Sequence, residues 1–353
     1  MKTQFKKATV ILKESEGRGP CNMAALLGKS VFLQGQEARV EFKNLLRDAI
    51  IGQEIRVGQK EFAEALLEMP ALTSIYPSEK KLIMAYRSNM ITLDDSFLVE
   101  RQILGSWMKE VKFHKKNYVG EIHGEEILLM NKFLGYIAGG DMRPAMNAVY
   151  YDSDKMVASD AHVLIWKRDI PKINAFIMFL PQVVKLLNLF PGRYKIFATE
   201  YRSSPTHTPS PVYWLEGERI NITFRGIDSN YPTWESVVPQ EHKFNVYFDR
   251  REMLKATKFL KHYASQGSQL LKMEFGLNRI GLTVSDLDFN HKGNIDVYAE
   301  NHGKVPNIGV KLPFLEKVLK DLDSDLAHMK ITDETKALVF NDQILLMPMM
   351  INT

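Results

Sequence analysis

Residues Ile308–Leu322 read IGVKLPFLEKVLKDL. A short apolar run around Val310 gives way at Leu312-Pro313 to Leu315, Val318, Leu319 and Leu322, spaced by three and four. Such spacing lines side chains up along one helix face, so the stretch predicts a strand running into an amphipathic helix. The same pattern occurs twice more, as IRVGQKEFAEALLEM from Ile55 and IMFLPQVVKLLNLF from Ile177. With Val57, Phe179 and Val310 taken as equivalent, the copies recur at intervals of roughly 120 to 130 residues, and the chain reads as three repeats of one unit.

Each copy continues into a strand and then a hairpin: KLIMAYRSNMITLD from Lys81, SPVYWLEGERINITF from Ser210 and KALVFNDQILLMPM from Lys336. Val57 to Ile91 spans the same length as Val310 to Ile344. The middle copy is longer, with a Pro/Ser-rich loop inserted at RSSPTHTPSP, Arg202 to Pro211. Two further helices are expected earlier in repeats two and three, EEILLMNKFLGYI (Glu125 to Ile137) and RREMLKATKFLKHYA (Arg250 to Ala264), with residues 5 to 16 the candidate counterpart in repeat one. Three unrelated α/β domains are the plainer alternative. In the last repeat, Ile344 to Met347 are expected to pair with Lys336 to Phe340. Pro348, having no amide hydrogen, then stops the strand. Met349, Met350 and Ile351 lie beyond it, where burial within the repeat does not account for them.

Composition sets broad limits. The chain has 353 residues, 45% apolar and 25% charged, with a net charge of +4. That is a folded protein of two or three domains that tolerates a polyanionic partner without requiring one. Cys21 is the single cysteine, so no internal disulfide framework exists, as suits a reducing cytosol. The opening MKTQFKKATVILKESEG lacks the longer apolar core of a secretory signal, and no stretch has the apolar length of a membrane span. A cytoplasmic protein is expected.

Catalytic chemistry is hard to find. LLGKS (Leu26 to Ser30) ends like a phosphate-binding loop, but Met23 stands where the first glycine belongs. The nine histidines show no helical metal-ligand spacing. YDSD (Tyr151 to Asp154) and DLDSD (Asp321 to Asp325) are ordinary acidic turns before they are cation sites. His162 has no serine or cysteine elbow near it in sequence. No cofactor, metal or catalytic residue is expected. Charge is more informative: Arg251, Lys255, Lys258 and His262 share one helix face opposite Met253, Ala256 and Leu260, and Lys317 with Lys320 is read as the outer face of the last helix. The plain reading is solvated surface. The functional one is phosphate contact without base readout. In repeat one the corresponding stripe is acidic, at Glu61, Glu64 and Glu68.

Three stretches carry a family resemblance. DMRPAMNAVYYDSDKMVASDAHVLIW (Asp141 to Trp166), IDSNYPTWESVVPQ (Ile227 to Gln240) and the tail LLMPMMI (Leu345 to Ile351) together resemble the bacterial replicative sliding clamp, the beta subunit of DNA polymerase III. The likeness is good over residues 119 to 353, holds only in pattern over 54 to 93, and is scant over 1 to 50. It implies an α+β fold of three similar clamp-type domains, with boundaries read here as 1–117, 118–242 and 243–353. In each, helices cover one face of antiparallel sheets, and two subunits join head to tail into a homodimeric ring around duplex DNA. The family is non-catalytic and tethers DNA polymerase, clamp loader and repair factors for processive synthesis.

The resemblance also implies sites. A hydrophobic pocket between the second and third domains takes short linear peptides. Carried onto this chain, its C-terminal wall is Leu345, Leu346, Met347, Pro348, Met349, Met350 and Ile351. Met146, Ser159, Ala161, His162, Val163 and Leu164 face it, with Pro232, Ser236 and Val237 from the interdomain segment. Methionines suit a surface that repacks around different peptides. DNA contacts are implied at Arg143, Lys185, Arg251, Lys255, Lys258, Lys317 and Lys320. The family's Gly-His-Arg is Ala161-His162-Val163 here, and Met350 and Ser236 stand where arginines are common, so a more apolar pocket is expected. The divergent first domain keeps an alternative open: a monomeric clamp-derived peptide-binding adaptor that does not encircle DNA. A metal-dependent nuclease using Asp152, Asp154 and Asp160 is the third reading.

Overall fold

The computed structural model describes residues 2–13, 23–27, 30–34, 38–43, 48–49, 55–58, 74–78, 81–86, 89–93, 117–140, 143–201, 210–286 and 289–351. Cys21, the Glu61/Glu64/Glu68 stripe and most of the Pro/Ser-rich insertion lie outside them. The chain divides into two compact units. One holds residues 1–134, 148–154 and 169–229, and the other 135–147, 155–168 and 230–353.

In the first unit an eight-stranded antiparallel sheet runs in the order Ile55–Gly58, Met23–Leu27, Ser30–Gln34, Ala38–Phe42, Ile220–Arg225, Ser210–Gly217, Tyr194–Tyr201, Asn117–Ile122. Its central seam joins sequence-distant strands, with Ile222 opposite Val40 and Phe224 opposite Ala38. These side chains are fully buried, as alternation demands of a sheet with one covered face. Helices Gly124–Phe133 and Pro181–Leu189 pack side by side, and helix Lys2–Lys13 rests on the latter. Phe42 meets Phe190 edge to face at 5.6 Å. The same unit holds a four-stranded sheet whose edge strand is Asn89–Leu93, and the pair Val149–Asp152 with Phe176–Phe179.

In the second unit the strands run Lys155–Ser159, Val163–Lys167, Ile344–Leu346, Leu338–Phe340, Leu326–Ile331, Phe244–Asp249, His291–Asn301, Arg279–Asp286, Leu270–Gly276, Ile308–Lys311. Helices Arg250–Leu260 and Leu312–Asp321 pack on each other, burying Met253, Leu260, Leu315 and Leu319. Asp249 caps the first helix, accepting from the Glu252 amide at 2.7 Å, a cap typically worth about 1 kcal/mol. Pro313 sits in the first turn of the second, where its missing N–H costs nothing.

The expected order of elements is present in the described parts of all three repeats. Strand Ile55–Gly58, strand Ser74–Ser78 and hairpin Lys81–Tyr86/Asn89–Leu93 follow it in the first, helix Pro181–Leu189, strand Tyr194–Tyr201 and the 210–225 hairpin in the second. Helix Leu312–Asp321, strand Leu326–Ile331 and the 338–346 hairpin follow it in the third. One detail differs. The last hairpin pairs Leu338–Phe340 with Ile344–Leu346 only, across a three-residue loop in which Asn341 and Asp342 are at positive φ and the Gln343 amide donates to the Phe340 carbonyl. Met347 leaves the hairpin for another partner.

Candidate functional site: the C-terminal tail and the turn beneath it

Strand Ile344–Leu346 pairs on its second side with Val163–Lys167, placing Leu345 opposite Leu164 and Leu346 opposite Val163. All four are buried. Directly opposed residues share a face, so Leu164 and Leu345 point one way, with Trp166 two residues on, and Val163 and Leu346 the other. Trp234 lies 6.1 Å from Trp166 between ring centroids, on the Leu164 face. This anchors the short helix Trp234–Val237, where Pro232, Ser236 and Val237 are exposed.

The turn entering Val163–Lys167 is held by its own side chains. Asp160 Oδ1 accepts from the amides of His162 and Val163, each at 2.9 Å. Buried Ser159 accepts from the Ala161 amide at 3.1 Å and donates to the Val163 carbonyl at 2.9 Å. Ala161 is left at φ +75°, a conformation that costs an alanine more than a glycine. Asp160 is thus committed to the turn. Among the described residues no group of three histidine, cysteine or acidic side chains is placed to hold a metal ion.

Beyond the strand the tail is held twice. Met347 donates its amide to the His162 carbonyl at 2.9 Å, and Met349 donates to Gly309 at 2.7 Å, forming a single bridge to strand Ile308–Lys311. Met349 and Ile351 are half-buried, and Met350 is 90% exposed. Met146 is buried in the short helix Pro144–Asn147, and its carbonyl accepts from Ala138.

Two residues at this site were absent from the sequence-based expectation. The His162 ring stacks on Phe314, and Lys311 Nζ lies 5.4 Å from the Phe314 centroid. Phe314 falls outside the Leu312, Leu315, Val318, Leu319 stripe. An aromatic side chain off the buried face of a helix was the available signal.

The basic residues separate into classes. Arg143 and Lys185 are exposed. Lys255 and Lys258 are exposed on the helix Arg250–Leu260 and have no ion pair among the described residues. Arg251 binds Asp325 at 2.9 Å, and the Arg250 and Arg251 guanidiniums hold the Asp325 carboxyl below its usual range. Lys320 is paired with Glu316 at 2.6 Å. Lys317 does not share an outer face with Lys320. Its ammonium lies 4.1 Å from the Tyr136 centroid and donates to the Gly135 carbonyl. Three residues from Lys320, it sits about 60° around the helix from it, on the side of Gly135 and Tyr136, and burial lowers its pKa.

The family described as DNA polymerase III beta subunit, C-terminal domain, matches residues 235–344. The beta sliding clamp of Synechococcus elongatus is 26% identical over 122 residues, covering 34% of this chain and 32% of that protein; the match spans about a third of the relative's length. A DNA polymerase sliding clamp structure from Pseudomonas aeruginosa superposes with a TM-score of 0.80 at 16% identity, covering 99% of this chain and 98% of that one. The DNA polymerase III beta subunit from Thermotoga maritima gives 0.76 at 16%, covering 99% and 98%. Residues 235–344 are thus similar to the C-terminal domain of the DNA polymerase III beta subunit, and the chain has the fold of the bacterial sliding clamps.

Proposed function

We propose that this protein is a DNA sliding clamp, a non-catalytic ring that encircles duplex DNA and tethers DNA polymerase and other factors for processive synthesis. The observation that carries the reading is the clamp fold over 99% of the chain, joined to the family match on residues 235–344. The three-domain division at 1–117, 118–242 and 243–353 belongs to the proposal, and the repeated strand–helix–strand–hairpin order supports it. So does the surface chemistry. Lys255 and Lys258 offer cations on one helix face with no ion pair among the described residues, the chemistry of phosphate contact without base readout. No helix among the described residues is long and apolar enough to cross a membrane. Action in the cytoplasm, where DNA is available, belongs to the same reading.

Ring closure has a candidate contact. Strand His291–Asn301 pairs with Phe244–Asp249 only through Ala299, Glu300 and Asn301, so the rest of that edge is open among the described residues. Asn89–Leu93 is likewise an edge strand. Two open edges at different places on one chain suit a heterologous contact that closes a head-to-tail dimer. Partner proteins are assigned to the tail: Met347, Pro348, Met349, Met350 and Ile351 form one wall, with Ala161, His162, Val163, Leu164, Leu345, Leu346, Ser159 and Met146 beneath, and Pro232, Ser236 and Val237 on the neighbouring segment. Its ligands are short apolar peptides.

Light scattering across a dilution series tests the ring. A mass of twice the 40.5 kDa chain that survives dilution is expected. A mass of 40.5 kDa throughout would overturn the ring and leave the peptide-binding adaptor.

A further inference from the structure

We infer that Gly309 is the positioning residue for the partner-binding tail; this rests on the tail being the peptide-binding wall. Strand Ile308–Lys311 pairs on one side with Leu270–Gly276, Gly309 lying opposite Lys272. On its other side the Gly309 carbonyl accepts the Met349 amide at 2.7 Å. The tail thereby adds a last rung to the sheet, and it comes close. A Cβ on Gly309 would lie 2.6 Å from the Met349 carbonyl oxygen, 2.9 Å from Ile351 Cγ1 and 2.9 Å from Leu270 Cδ1.

These three neighbours differ in how they can yield. The ends of the Ile351 and Leu270 side chains can rotate away. The Met349 oxygen is backbone and retreats only if the tail retreats with it. Gly309 is not at positive φ, unlike Gly303 at +87°, so its requirement is for space and not for an unusual backbone conformation. The tail upstream is fixed separately, by the Met347 amide on His162. A side chain at position 309 therefore lifts the chain beyond Pro348 and moves Met350 and Ile351, leaving strand Ile344–Leu346 in place. Glycine at this position sets where the exposed Met350 stands.

The test compares Gly309→Ala with two tail variants. Met349→Ala keeps the amide that reaches Gly309, whereas Met349→Pro removes it and leaves the core untouched. The probe is a fluorescent peptide selected against the wild-type protein from a random decapeptide display library. Carboxypeptidase digestion followed by mass spectrometry reads the tail's attachment without any peptide. Gly309→Ala is expected to bind roughly tenfold more weakly than wild type, and Met349→Pro roughly tenfold more weakly than Met349→Ala, as loss of one hydrogen bond and its alignment implies. Digestion should pass Ile351 in Gly309→Ala and Met349→Pro and stall there in the others. If Gly309→Ala melts early, the Met349 pair decides; if both Met349 variants lose binding altogether, digestion decides. Equal affinity and equal digestion of Met349→Pro and Met349→Ala would overturn the inference. Failure of any selected peptide to depend on residues 347–353 would instead overturn the peptide-wall reading, with digestion still reporting on Gly309.

Discussion

The rings of His162 and Phe314 stack with centroids 5.1 Å apart and planes 20° from parallel. One comes from a tight turn, the other from the first turns of helix Leu312–Asp321, and the tail passes over the same turn through Met347. Because Phe314 lies off the buried stripe, Phe314→Ala is expected to leave the melting temperature within a degree or so while weakening peptide binding by roughly tenfold, the usual effect of losing an aromatic anchor. Isothermal titration with a peptide selected on the wild type checks this. Unchanged affinity would remove Phe314 from the site.

Ala161 at φ +75° is exposed and makes its turn by hydrogen bonds, not packing. Ala161→Gly should therefore stabilise the protein by about 0.5 to 1 kcal/mol, the relief of left-handed strain exceeding the added freedom of the unfolded chain. Urea midpoints at constant m-value provide the measurement. A destabilised glycine variant would mean that the alanine methyl packs against something in solution.

The lysines divide the proposed DNA surface. Reversing Lys255 and Lys258 to glutamate should weaken retention on duplex DNA and flatten its dependence on salt, by about one unit of slope for each phosphate that the helix no longer neutralises. Lys317→Met should change neither, and should instead lower stability by about 1 kcal/mol by removing the ammonium from the Tyr136 ring. Equal salt slopes for all three variants would show that this helix face does not meet phosphate.

Acid should loosen the second unit. Burial pushes the His242 and His328 imidazoles below the ordinary value of 6.5, with Lys330 acting the same way and Asp342 opposing. His328 is also stacked on Tyr247 at 4.4 Å and bonded to Asn245 at 2.8 Å. The folded protein then binds these protons at lower pH than the unfolded chain does. Stability is full above about pH 6.5 and declines as pH falls below it toward the folded values. Melting temperatures between about pH 7 and 5.5 should fall for wild type and fall less for His242→Gln/His328→Gln. Parallel slopes would assign the acid sensitivity elsewhere.

Strands and helices were legible where periodicity was strong. The run Leu312, Leu315, Val318, Leu319 has a single good reading, and so do the hairpins, whose turn residues Asn341 and Asp342 tolerate positive φ. The tail's apolar character was equally plain. Pairings between distant segments were not legible. Nothing local in Val163 and Leu346 says that they face each other, and nothing in Lys317 separates it from Lys320, because a lysine's flexible stem suits a ring contact and a solvated face alike. Gly309 looked like any strand glycine until the tail was seen lying against it.

The spacing of the tail's donors has a consequence for what sequence can follow Leu346. Met347 and Met349 each offer an amide hydrogen to a fixed carbonyl, and between them Pro348 offers none. Shift the tail by a single residue and the proline meets one of those carbonyls, leaving it unsatisfied and the ladder broken. The proline thus acts as a phase marker. It allows the terminal residues to vary in side chain but not to be lengthened or shortened by one ahead of it, so that a frameless stretch of chain acquires a single register.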